Sequence, residues 1–115
     1  RQYKRYFLIP AGERLIPFPV DQIAFVHLGE KISYIYDHEG HRLAYDKPLD
    51  AIVAELNPRN FFRANRQFIV AHRAVKELSV WPIGKLKLLL TPPAPEPVIV
   101  SRARVAEFKN WYTKQ

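Results

Sequence analysis

The chain has 115 residues, no cysteine and only four glycines. Without cysteine, disulfide staples, thiolate zinc sites and a cysteine nucleophile are excluded together. No Gly-rich phosphate loop is present, and the three serines are neither glycine-framed nor followed by a base in sequence. These absences point to a binding module, not an enzyme, with no cofactor and no metal. Long apolar runs are also missing. The stretches that come nearest are broken by Pro17 and Pro19 or last a few residues, as at 88–90, far short of the roughly 20 that a membrane span needs. The start does not resemble a signal peptide, and it opens on Arg1 instead of Met, so a cytoplasmic fragment of a longer protein is expected.

What the chain does contain is the composition of one folded domain. It is 48% hydrophobic and 13% aromatic with ten prolines, which argues against disorder and leaves enough apolar mass for a core. Lys plus Arg number 18 against 11 Asp plus Glu, a net charge of +7, and the excess is unevenly placed. Residues 1–56 carry seven basic and eight acidic side chains, whereas residues 57–115 carry eleven and three. A basic half of net +8 favours a polyanionic partner, nucleic acid before membrane.

Residues 6–10 and 14–17 flank Ala11-Gly12-Glu13 as a hairpin, and 23–28, 32–36 and 41–45 are rich in strand formers. From Pro48 the apolar period changes to helical, with Leu49, Ile52, Val53 and Leu56 on one stripe. A helix of about nine residues is expected there, capped by Asp46, stopped by Asn57-Pro58 and lying on a sheet. Residues 61–70 follow, then 75–81 and 85–90 around Pro82-Ile83-Gly84. The proline-rich 92–97 reads as a stiff extended loop, 98–100 as a short strand, and a final helix capped by Ser101 places Val105, Phe108, Trp111 and Tyr112 on one face. The total is about eight short strands and two helices, a mostly β antiparallel domain.

Asp37, His38, Glu39 and His41 crowd one turn. Adjacent turn residues diverge, and closed metal sites draw ligands from separate elements, so this cluster reads as a solvated turn. His27 and His72 stand alone in sequence and read as packed or surface residues. More informative is the segment at 61–70. Phe62, Phe68 and Val70 can anchor it, while Arg63, Asn65, Arg66 and Gln67 offer forked or paired donors that match guanine, adenine and phosphate acceptors. The alternative is a surface loop whose arginines pair with acids, the nearest in sequence being Glu55 and Glu77. A second basic element, Ser101-Arg102-Ala103-Arg104, opens the last helix, where free amides favour a phosphate; its arginines could instead pair with Glu96 or Glu107.

Together these residues resemble the LytTR family, DNA-binding domains usually C-terminal to a receiver domain in bacterial response regulators. The family pattern runs approximately F-x-R-V-H-R-S-Y-L-V-N. Here Phe61-Phe62-Arg63-Ala64-Asn65-Arg66-Gln67-Phe68-Ile69-Val70-Ala71 matches it at Arg63, Arg66, Phe68 and Val70, and departs from it at Asn65, Gln67 and Ala71. The short helix with its exit, and Val100-Ser101-Arg102 before Val105 and Phe108, also resemble family features, over about residues 7–109. The resemblance implies an elongated stack of small antiparallel sheets that presents loops, not a recognition helix, to DNA. It carries contacts to Lys31, to Asn65, Arg66 and Gln67, and to Arg102 and Arg104. With Arg63 added, Arg63 and Arg104 are expected on phosphates and Asn65 and Arg66 nearest the bases.

The expectation is therefore sequence-specific binding to double-stranded DNA, as the output domain (residues 6–115) of a bacterial transcription regulator. Residues 1–5 would be a linker remnant from a receiver-like upstream domain, and two copies would dimerise on repeated half-sites. Two rivals stay open. One is a β-rich RNA or single-strand binder stacking bases on Tyr34, Tyr36 or Trp81; the other is a protein-interaction or dimerisation module.

Overall fold

The computed structural model describes residues 2–115, so Arg1 of the expected linker lies outside the described residues. Three prolines (Pro10 in the first strand, Pro17 and Pro19 in the second) leave β1 (Tyr6–Ala11) and β2 (Arg14–Pro19) as a hairpin that pairs with no other strand among the described residues, closed by Gly12 at φ +63°. Phe7, Ile9 and Phe18 face the core from it. Of residues 2–5, Lys4 donates its amide to Glu55 O (3.0 Å) and Arg5 O accepts from Val20 N (2.9 Å).

A five-stranded antiparallel sheet forms the body. Its strands are β3 (Ile23–Leu28), β4 (Ser33–Asp37), β5 (Arg42–Ala44), β6 (Phe61–Arg63) and β7 (Phe68–Ala71), in the order β5-β4-β3-β7-β6. β3 is central and buried from Ile23 to His27, as a strand with neighbours on both edges and cover on both faces requires. Between β4 and β5, Asp37 holds the turn: its Oδ1 accepts the amides of Glu39 and His41 at 2.9 Å each, and Gly40 takes φ +94°.

The helix α1 (Leu49–Ala54) has six residues where about nine are expected. Leu49, Ile52 and, just beyond it, Leu56 are buried, and α1 packs on β6 and β7. Asp46 does not cap it. Pro48 occupies the N-cap position without any side-chain hydrogen bond, because an extended Pro48 already fixes the entry angle. The 61–70 segment is two strands, not one, interrupted by a loop at 64–67.

The third sheet comprises β8 (Val75–Trp81), β9 (Lys85–Leu90) and β10 (Val98–Val100), in the order β10-β9-β8. Leu86, Leu88, Leu90, Val98 and Val100 alternate inward. The described residues thus hold ten strands where about eight are expected, and the break in the 61–70 segment adds one of them. A final helix, α2 (Val105–Thr113), buries Phe108 against Phe62 (ring centroids 5.3 Å apart), with Val105, Trp111 and Tyr112 half-buried on the same side. Ser101 does not cap it either. A single 3-10 turn over Arg102–Arg104 intervenes and consumes the amides of Arg104 and Val105 on the carbonyls of Ser101 and Arg102. The three sheets stack into a body of 47 × 32 × 23 Å.

Candidate nucleic-acid interface

The loop joining β6 to β7 is built by its own side chains. Asn65 Oδ1 accepts the amides of Gln67 (2.7 Å) and Phe68 (3.0 Å), the short-range pattern by which an asparagine imitates a backbone turn. Its Nδ2 donates to Ile99 O in β10 at 2.9 Å, so one side chain ties the loop to two sheets. Arg63 folds back under the loop. Its Nε donates to Asn65 O (2.7 Å), one terminal nitrogen to Arg66 O (3.2 Å), and the other to Asp50 Oδ1 on α1. Arg104 enters from the 3-10 turn before the last helix, donating to Arg63 O (2.6 Å) and Ala64 O (3.3 Å) while it lies over the Phe62 ring and pairs with Glu107.

Three of the expected contact residues are therefore committed to the fold. Asn65 is expected at the bases and Arg63 and Arg104 at phosphates, whereas here Asn65 donates to a carbonyl and the two guanidinium groups donate to carbonyls and to the carboxylates of Asp50 and Glu107. The nearest-acid reasoning also missed Arg63's partner. Asp50, thirteen residues earlier, reaches it because α1 packs on β6; Arg104 does pair with Glu107, one of its two expected acids.

Arg66 and Gln67 remain. Both are exposed, and neither side chain makes a hydrogen bond or ion pair among the described residues. The loop's neighbours collect further cations. Leu28 donates its amide to Gln67 O (2.8 Å), which sets the turn after β3, with exposed Lys31, at the same end of the sheet. Across the β9–β10 ladder Val100 faces Leu86, so Lys85 lies beside Ser101. An open cleft of about 580 Å³ is lined by Arg63, Asn65, Arg66, Lys85, Ser101 and Arg104, among others. Arg102 extends over Gly84, close enough that a Cβ there would stand 3.2 Å from its Cγ and Cδ. Lys85 escaped the sequence reading; its only signal is its place directly after the Ile83-Gly84 turn.

The rival's aromatics are occupied. Tyr34 lies beneath the Arg42 guanidinium (4.3 Å), Tyr36 stacks on Phe25 (4.3 Å), and Trp81 is covered by Lys87 (5.2 Å).

Residues 13–113 match the model of the LytTr DNA-binding domain family, which is most of the chain. The chain belongs to that family. Among solved structures, the LytTr domain shares its fold with the LytTr DNA-binding domain of a Bacillus cereus protein described as a methyl-accepting/DNA response regulator. The match has a TM-score of 0.77 at 20% identity and covers 94% of this chain and 96% of that one. No curated protein matches. As a LytTr domain the chain is a DNA-binding module, and no helix among its described residues is long and apolar enough to cross a membrane.

Proposed function

We propose that this LytTr domain reads duplex DNA sequence-specifically, as the output module of a bacterial transcription regulator of the two-component type. The observation that carries the reading is the division of labour in the β6–β7 loop: Arg63, Asn65 and Arg104 hold it rigid, and Arg66 and Gln67 are left with free donors at its surface. Arg matches the paired acceptors of guanine and Gln those of adenine. Lys31, Lys85 and Arg102 then take phosphates on either side and set register. Pre-formed donors bind without first ordering a loop, which removes one of the larger costs of association.

A single module of this size covers roughly 600–1,000 Å² of protein surface on DNA, so two copies on repeated half-sites supply tight binding. A receiver-like domain upstream would control their pairing, in the cytoplasm. The test is a titration of the chain against duplex selected from a random-sequence pool, its separated strands, and RNA of the same sequence, each at several salt concentrations. Duplex is expected to bind tightest; single strands or RNA binding equally well would overturn the reading.

A further inference from the structure

The turn between β8 and β9 is built against its own residues. Ile83 sits at φ +62°, ψ +40°, in the left-handed region, followed by Gly84 at φ +71°. Glycine, asparagine and aspartate take that conformation readily; a β-branched side chain there is a rare outlier and is strained. The side chain gains no burial in return. Ile83 is 79% exposed and Val80 beside it 89%, so the strained residue holds its apolar side chain out in water.

Strain of this kind is held in place by the surrounding structure, here the β8–β9 ladder, and clusters at functional sites. The tip adjoins the cleft described above: Lys85 follows Gly84 and lines the cleft, and Arg102 lies across Gly84. An apolar point flanked by two unpaired cations is complementary to a DNA groove, where phosphates border the apolar edges of sugars, bases and thymine methyls. Isoleucine is among the side chains that proteins press against or between base steps. We propose that the β8–β9 tip is an additional DNA contact, in which Ile83 enters a groove of the duplex while Lys85 and Arg102 hold the phosphates beside it. The inference rests on the reading of this domain as a duplex binder and adds to it a contact that no hydrogen-bond donor supplies.

The opposing demands of strain and contact give a test that a structural role would not pass. Ile83→Asn accepts the left-handed backbone, so its Tm is expected to rise, while its affinity for a fluorescein-labelled duplex selected by the wild-type chain falls about tenfold. Ile83→Gly, which removes the side chain altogether, is expected to lose the same affinity, and Ile83→Leu to keep it within about twofold because the contact is apolar. The dependence of affinity on salt stays unchanged in all three, since no phosphate contact is touched. If Ile83→Asn and Ile83→Gly bind as the wild type does while Arg66→Ala loses its sequence preference, the tip contact alone is overturned. If the wild-type chain binds no duplex, the tip contact falls together with the reading it rests on.

Discussion

Asn65 and Arg66 stand next to each other and do opposite work. Asn65 satisfies two amides and a carbonyl, so Asn65→Ala strands Gln67 N, Phe68 N and Ile99 O and should cost about 1–3 kcal/mol, read as a lower midpoint in urea. Arg66→Ala removes a side chain with no hydrogen-bond or ion-pair partner among the described residues; its stability should stay within about 0.5 kcal/mol of wild type. Arg63→Ala belongs with Asn65, although the Asp50 pair adds little, because Asp50 is 91% exposed and solvent screens it. Residue type alone could not separate these roles. Arginine and asparagine suit bases, phosphates and carbonyls equally, and which acceptor is met depends on Asp50, Ile99 and Glu107, brought in by other elements. The resemblance located the segment; only the folded loop shows which of its donors are free.

At the scale of elements, hydrophobic period and turn chemistry were enough to place the first hairpin, the central strands, α1, the β8–β9 hairpin and α2. Caps and interruptions were not legible, because Asp46 and Ser101 have capping chemistry but the chain enters both helices by another route. The β4–β5 turn makes a prediction of its own. For Asp37, burial works to raise the carboxyl's pKa, but the amides of His41 and Glu39 and the His41 imidazole outweigh it and hold it below its usual 3.8. Burial, helped by Arg73, lowers His38 below its usual 6.5, and no hydrogen-bond partner for its Nε2 is present among the described residues. Both groups are easier to protonate in the unfolded chain, so acid favours unfolding. Stability should be flat above pH 7, fall as pH drops below about 6.5 through the lowered His38 pKa, and fall again below about 3.8 as Asp37 protonates. Thermal melts of His38→Gln, which cannot charge, should lack the first decline and keep the second.

Across the whole molecule, the net charge of +7 overstates the interface. Arg63 and Arg104 are spent internally, Arg42 and Lys87 cover aromatic rings, and Lys4 pairs with Glu55. The cations left without an internal partner among the described residues are, near the loop, Arg66 and Lys85 on the cleft, Arg102 over Gly84 and Lys31 in the turn after β3. At about 0.9 counterion per phosphate, three or four such contacts give a slope of log affinity against log salt of roughly −3 to −4 per copy, readable by fluorescence anisotropy. A much steeper slope would mean that cations elsewhere on the surface also reach the DNA. The most direct measurement compares affinity for a selected duplex with affinity for a random-sequence duplex, in wild type, Asn65→Ala and Arg66→Ala, each with its Tm. The account expects Arg66→Ala to bring that ratio close to one at an unchanged Tm, and Asn65→Ala to lower the ratio and the Tm together. An Arg66→Ala domain that keeps its selectivity, or loses it only by unfolding, would contradict the assignment of the loop's free donors to base recognition.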